Sequence, residues 1–567
     1  MRYQNILKTI ILCISLFSVT VSVNAIKAFP ELLTLKQPDG EVFLARLIGD
    51  ENFHVLLTED FYPLVQNEEN YYVYAEINEE GCFESTGVTV NTENLKGISI
   101  KRRIKKVDDE LINKLIERKS YSDKNDRRVA PGLMPTNFPT IGNHKALVVL
   151  VEFADNSFSM ENPYEYFYRM LNEEGYSDNG GAGSARDYFI TNSMGQFIPE
   201  FDVYGPVKLS GKIADYGSND AYGYDANPQK MAIEACELLD EEIDFRQYDR
   251  NGDGVIDNVF FYYAGYGEHD GGGRNTIWPH STKLSLIYKN KFLYDGVELD
   301  RYACTNELNS PQRGGLPDGI GTFCHEFSHV LGLPDLYATS FINLDTPGAW
   351  DVMDNGNYNN DGHTPANFSS FERYSLGWLE PTPIDFGEFE LDEIGESNEA
   401  YIFQCLDENE CFLFENRQLR RFDEFLPGHG MLVWHINYNK SAWDNNTVNN
   451  FFWQQYVDLI EADGKAGDGS RAGDPFPGSG NNTQFSVYTT PSFKGKSQTF
   501  IPYGLKSIME TNDGKIIFSV VDPATTAVNT IFEPEKNEVL YDITGRKIKK
   551  NGSERGIYIL NGKKVVF

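Results

Sequence analysis

Residues 26 to about 100 alternate apolar and polar side chains in short runs such as Val42-Phe43-Leu44-Ala45-Arg46-Leu47 and Tyr71-Tyr72-Val73-Tyr74-Ala75, with Asp-Gly, Gly-Asp and Glu-Gly turns between them. A period of two broken by turn residues predicts a small β-rich unit. From Lys145 the pattern changes. Ala146 to Phe153 and Asn258 to Gly265 are continuous apolar runs, as expected of strands buried on both faces, while Ser184 to Asn192, Pro228 to Asp240 and Gly321 to Leu333 carry helical spacing. Mixed strands and helices over 140–380 predict an α+β domain ending near Trp378-Leu379. After Pro381 short β runs with Gly, Pro and Asn turns return up to about 522, predicting a β-sandwich-like domain. The closing stretch, 523–567, ends in two apolar runs around Asn561-Gly562, the pattern of a β-hairpin.

The first 25 residues stand apart. Arg2 and Lys8 precede an apolar run from Thr9 to Val23, and Val23-Asn24-Ala25 is a small-residue cleavage site, so 1–25 reads as a signal peptide and the protein as secreted or held at the cell surface. No other stretch approaches the roughly 18 apolar residues that cross a bilayer, and no membrane span is expected. Between the β-rich unit and residue 140, Lys101-Arg102-Arg103-Ile104-Lys105-Lys106 and Arg118 through Arg128 form a basic helical stretch. It reads either as a processing site, which implies an activating protease as partner, or as a solvated connector.

Composition narrows the classes. The 567 residues include 32 Tyr and 38 Phe, enough buriable surface to exclude disorder as a description of the chain, and about three or four structural units follow at roughly 100 to 200 residues each. With 84 acidic against 50 basic side chains the formal charge is −34, which disfavours nucleic acid and anionic membrane surfaces as partners. Six cysteines remain beyond the apolar leader. Only Cys405 and Cys411 have a spacing that suggests a local bridge, across the turn Leu-Asp-Glu-Asn-Glu.

The candidate chemistry lies in Cys324-His325-Glu326-Phe327-Ser328-His329-Val330-Leu331-Gly332-Leu333-Pro334-Asp335. Two histidines four apart share one helix face and can bind one Zn2+, and Glu326 is placed to take the proton of a water at the open position. Gly332 ends the helix, and Asp335 follows where a third ligand can return to the ion. Glu372, in Phe371-Glu372-Arg373-Tyr374, is a competing third carboxylate. His269, His280, His363 and His435 have no ligand spacing and read as core or loop residues, with His280 the nearest to an exception.

His325-Glu326-x-x-His329-x-x-Gly332-x-x-Asp335, followed by Met353 in Trp350-Asp351-Val352-Met353-Asp354, resembles the metzincin-like zinc peptidases, and more closely the immune inhibitor A-type secreted metallopeptidases. Ala185-Arg186-Asp187-Tyr188-Phe189, Tyr263-Ala264-Gly265-Tyr266-Gly267 and Ile277-Trp278-Pro279-His280 extend the resemblance over about 140 to 380. Leu432-Val433-Trp434-His435-Ile436 carries it into 381–522. The resemblance implies a metzincin-like catalytic domain, zinc on His325, His329 and Asp335, Glu326 as catalytic base, extended polypeptides as substrates, and a propeptide over 26–128. The resemblance favours an aspartate as its inhibitory residue; a Cys82 thiolate could also block the ion, although Cys82 otherwise reads as an ordinary cysteine of the β-rich unit. A non-catalytic surface adhesin with a structural zinc is the alternative, disfavoured by the intact Glu326.

A second constellation, Asp249-Arg250-Asn251-Gly252-Asp253-Gly254-Val255-Ile256-Asp257, sets oxygen donors from Asp249, Asn251, Asp253 and Asp257 and the Val255 carbonyl at positions that suit a structural Ca2+. Position 12 is Phe260 rather than glutamate. An Asn/Gly turn solvated by its own acids is the other reading. Val539-Leu540-Tyr541-Asp542-Ile543-Thr544-Gly545-Arg546-Lys547 with the terminal hairpin is similar to the end of type IX secretion sorting domains; a plain β tail is the alternative.

Overall fold

A computed structural model of the chain describes residues 24–50, 53–67, 69–78, 83–90, 106–107, 132–220, 223–340, 344–451, 453–467, 469–496 and 501–523, together with short strands between 540 and 566. The apolar leader up to Val23, Cys82 and the basic stretch apart from 106–107 lie outside the described residues.

The described residues begin with a two-residue strand, β1 (Asn24–Ala25), and continue into a six-stranded antiparallel meander: β2 (Leu33–Lys36), β3 (Val42–Asp50), β4 (Phe53–Thr58), β5 (Pro63–Gln66), β6 (Tyr72–Ile77) and β7 (Phe83–Thr89), each paired with the next. Alternation puts Leu33, Leu35, Phe43, Ala45 and Leu47 on one buried face, as the period of two predicts.

The central sheet has the order β1–β11–β14–β10–β8–β9, formed by β8 (Gly142–Glu152), β9 (Phe197–Lys208), β10 (Val259–Tyr266), β11 (His280–Lys283) and β14 (Arg301–Leu308), with the hairpin β12 (Phe292–Tyr294) and β13 (Val297–Leu299) beside it. β9, β8, β10 and β14 run parallel; at one edge β11 pairs antiparallel with β14, and β1 pairs antiparallel with β11 and so runs in the direction of the other four. The continuous apolar runs have a plain cause. Ala146, Val148 and Leu150 of β8 and Phe260, Tyr262 and Ala264 of β10 enter one core, while Leu147, Val149 and Val151 and Val259, Phe261 and Tyr263 enter another on the opposite face. The first face is covered by α1 (Pro163–Asn172), α2 (Ala185–Asn192) and α4 (Gly321–Val330), the second by α3 (Pro228–Leu239). The domain is thus mixed α/β with helices on both faces of a largely parallel sheet.

Beyond residue 380 a five-stranded sheet, β15 (Thr382–Pro383), β17 (Tyr401–Gln404), β18 (Glu410–Arg417), β19 (Gly430–Asn437) and β20 (Val457–Leu459), lies over a three-stranded one, β16 (Gly387–Leu391), β21 (Gly504–Glu510) and β22 (Ile516–Val521). Phe412, Phe414, Met431 and Val433 meet Leu391, Leu505, Ile516 and Phe518 between them. The other face of the larger sheet, with Leu413, Leu432, Trp434 and Ile436, joins the same core as α4. Packing therefore runs across residue 380 without a break.

Cys405 and Cys411 do not form the expected bridge; both are free. Gln404 pairs with Cys411, so Cys405 stands one residue past the register. Cys405 packs between the two sheets while Cys411 lies against the core shared with α4, so their side chains leave opposite faces of the hairpin. Near the C-terminus β25 (Ile557–Leu560) and β26 (Lys563–Val566) form the expected hairpin, in a four-stranded sheet with β23 (Leu540–Asp542) and β24 (Lys547–Ile548).

Candidate active site

Helix α4 carries the site and is buried along its whole length. Its start demands glycine, because a Cβ on Gly321 would lie 1.9 Å from the Asn357 carbonyl oxygen. Its end is a Schellman motif: Leu333 N–H donates to Ser328 O at 3.0 Å and Gly332 N–H to His329 O at 3.0 Å, with Gly332 at φ +98°. That left-handed residue turns the chain back so that Asp335 faces the helix it has just left.

The result is a compact group. Asp335 Oδ1 lies 3.2 Å from His325 Nε2 and 3.3 Å from His329 Nε2. Among the described residues these three side chains are the one set of three or more His, Cys, Asp and Glu whose ligand atoms all fall within 4.8 Å of one another. Each imidazole is oriented through its other nitrogen, His325 Nδ1 on the Val352 carbonyl at 2.8 Å and His329 Nδ1 on the Leu333 carbonyl at 2.7 Å. With Nδ1–H donating, Nε2 presents its lone pair to the centre of the group. His325 Nε2, His329 Nε2, Asp335 Oδ1 and Glu326 Oε2 are all buried without a hydrogen-bond partner. Four orphaned polar atoms in one place are costly unless a cation satisfies them, and two imidazoles with a carboxylate are a donor set that suits zinc.

Burial would raise the Asp335 carboxyl, but the two facing imidazoles outweigh it and hold the group down to about 2. Glu326 is pushed well above the usual carboxylate range by burial and by the Asp335 charge, against the opposing hydrogen bond from the Ile26 N–H.

Two residues that the sequence pattern did not single out shape this site. Asn446, on the far side of residue 380, accepts a hydrogen bond from Asp335 N–H at 2.8 Å through Oδ1, and its Nδ2 donates to Asp335 Oδ2. Ile26 donates its N–H to Glu326 Oε1 at 3.0 Å. Neither had a legible signal, since both reach the site across more than a hundred residues. Met353 is fully buried in the core that holds α4, and its carbonyl accepts from Leu336 N–H at 2.9 Å.

Glu372 is not brought to the group. It closes the capping box of α5 (Ser370–Ser375), with Oε2 accepting from Ser369 N–H at 2.8 Å and Ser369 Oγ at 3.0 Å. His280 is buried in β11 with both nitrogens engaged, on Trp278 O and the Tyr302 hydroxyl, each at 2.7 Å. His269 is buried and stacked on Tyr358, and His435 contacts Glu410 at 2.8 Å.

The Asp249–Asp257 loop turns on Gly252 and Gly254, both at positive φ. Its carboxylates cap its own backbone: Asp249 accepts from Asp253 and Gly254 N–H, Asp253 from Val255 N–H, and Asp257 from Arg250 N–H. Asp257 Oδ1 is buried and unpartnered, and burial, with the charges of Asp249 and Asp253, raises its carboxyl to about 7.

Residues 138–379 match the family described as the immune inhibitor A peptidase M6 catalytic domain. The chain is similar to the immune inhibitor A of Bacillus thuringiensis subsp. alesti, 28% identical over 292 residues that cover 43% of this chain and 42% of that protein. It is also similar to the pre-pro-metalloprotease PrtV of Vibrio cholerae serotype O1, 25% identical over 342 residues that cover 52% of this chain and 36% of that protein. The match thus spans less than half the length of either relative. Residues 138–379 carry a metallopeptidase domain of the immune inhibitor A type.

Proposed function

We propose that the protein is a secreted zinc endopeptidase made as a latent proenzyme, with a metzincin-like catalytic domain. The observation that carries this reading is the convergence of three orphaned ligand atoms, His325 Nε2, His329 Nε2 and Asp335 Oδ1, beside the unpartnered Oε2 of Glu326. His325, His329 and Asp335 would hold zinc, which supplies a Lewis acid that acidifies a water and polarises a peptide carbonyl. Glu326 takes the proton from that water and passes it to the nitrogen of the departing amine. An extended polypeptide lies along the edge strand β11, adding a strand to the central sheet.

Latency is supported by the segment that already lies there. Past the leader the segment begins at Ile26, whose N–H donates to Glu326 Oε1 at 3.0 Å; ahead of it, in the chain that still carries the leader, Asn24 and Ala25 pair antiparallel with Ser281 and His280 of β11. Trp278 Nε1 donates to the Ile26 carbonyl at 2.9 Å, and Phe29 N–H donates to His269 O at 2.9 Å. Among the described residues Ile26 is the one from the N-terminal segment that donates to Glu326, while Cys82 lies outside the described residues. Export follows from the leader read over 1–25, and release of the strap requires cleavage by an activating protease in the basic linker. A structural calcium in the Asp249–Asp257 loop is supported by the unpartnered Asp257 oxygen.

The full chain, purified and activated by limited proteolysis, is expected to carry one zinc per chain and to hydrolyse casein. A strong chelator abolishes the activity and added zinc restores it. Chelator-insensitive hydrolysis would overturn the reading, as would a metal-free active protein.

A further inference from the structure

The strap does more than fill the cleft, because its register with the catalytic machinery is that of a substrate. Ala25 pairs with His280 on β11, and the next nitrogen along, Ile26 N, sits 3.0 Å from Glu326 Oε1. A glutamate that returns a proton to a departing amine must lie at hydrogen-bond distance from that nitrogen. Ile26, the first residue after the leader, therefore occupies the place of the first residue on the leaving side of a bond to be cut, and Lys27 the place of the second.

Lys27 has a counterpart in the wall of the cleft. Its Nζ lies 3.7 Å from Asp354 Oδ1 and 5.7 Å above the ring centre of Tyr337, and its carbonyl accepts from the Tyr358 hydroxyl at 2.6 Å. The Asp354 side chain has no exposed surface. It is aimed by Gly348 N–H on Oδ2 at 2.7 Å and Asn355 N–H on Oδ1 at 2.9 Å. Among the described residues Lys27 is the one cation in ion-pair contact with it. When the strap leaves, Asp354 keeps its two backbone donors and loses its counter-charge, a state that favours any ligand bringing a cation to the same point.

We propose that Asp354 and Tyr337 form a specificity subsite for a lysine or arginine side chain, so that the enzyme prefers bonds in which the second residue after the cut is basic. This inference rests on the peptidase reading for its consequence, although the subsite itself is a matter of binding. The ammonium or guanidinium pairs with the Asp354 carboxylate and covers the Tyr337 ring, while the backbone is held by Trp278 and Tyr358.

Two measurements on the zinc-loaded, proteolytically activated full chain test it. In the Glu326→Gln protein, which leaves peptides intact, the peptide Ile-Lys-Ala-Phe-Pro-Glu is expected to bind about tenfold or more tightly than Ile-Glu-Ala-Phe-Pro-Glu, as for a charge pair with one partner buried. Asp354→Asn brings the two affinities together. In the unmutated protein, a randomised peptide library read by mass spectrometry is expected to show Lys and Arg enriched at the second position after the cut. Equal binding of the two peptides would overturn the subsite, and so would cleavage without enrichment at that position. A preserved binding ratio with no cleavage of any peptide upholds the subsite and refutes the peptidase reading instead.

Discussion

Asp335 owes its position to a residue more than a hundred places away. Its Oδ1 faces the two imidazoles while Oδ2 and its own N–H are tied to the Asn446 side chain, so the rotamer that points at the metal position is fixed from the opposite side. Groups that orient a ligand in this way typically matter about 10–100-fold in metal affinity. Asn446→Ala is therefore expected to weaken zinc binding by about that factor in a competition titration with a chromogenic chelator, while Glu372→Gln, which alters a helix cap, leaves it in place. Unchanged affinity in Asn446→Ala would show that Asp335 needs no such support. Asp257 supplies a second test at this scale. Its carboxyl, ordinarily near 3.8, is raised to about 7 in the fold. Between those values the folded protein keeps a proton that the unfolded chain has lost, so stability falls as pH rises through that window. Melting temperatures measured from pH 4 to 7 are expected to show this decline flattened in Asp257→Asn. Calcium at pH 7.5 should raise the melting temperature of the unmutated protein more than that of the variant. An identical slope and an identical calcium response in the two proteins would remove both the titration and the cation from that loop.

At the scale of elements, what was legible in the sequence is what local physics determines. β8 and β10 read as buried strands because both of their faces meet apolar cores, and α4 read as a helix ending at Gly332 because a left-handed residue is needed there. The histidine pair and its glutamate were legible for the same reason, since their spacing is a property of one helix. Three features were not. The Cys405–Cys411 pair looked close in sequence, yet a one-residue offset in register sends the two sulfurs to opposite faces. The sequence boundary at residue 380 did not show that one core is shared across it, because β18 and β19 lay one face against the helices of the preceding domain while their other face enters a core of its own. Glu372 stood as a competing third carboxylate, and its Oε2 closes the first turn of a six-residue helix instead. Register, shared cores and capping all depend on partners distant in sequence or on single-residue offsets, which a periodic pattern does not record.

The whole molecule joins these parts into one device. The N-terminal meander anchors a strap that crosses the catalytic sheet edge, the catalytic domain supplies the helix and its turn, and the C-terminal sheets supply Asn446 and the floor of the core. A charge of −34 spread over such an assembly disfavours polyanionic partners. The buried Asp354 beside Lys27 suggests that acidic groups also serve recognition within the cleft. The central claim is that Glu326 moves the proton in peptide hydrolysis while His325, His329 and Asp335 hold the metal. It is tested most directly by measuring casein hydrolysis and zinc content together in the activated Glu326→Gln protein. The account predicts that zinc is retained and hydrolysis falls by at least about a hundredfold, the usual share of a general base. A zinc-loaded Glu326→Gln protein that cleaves casein at the unmutated rate would contradict it.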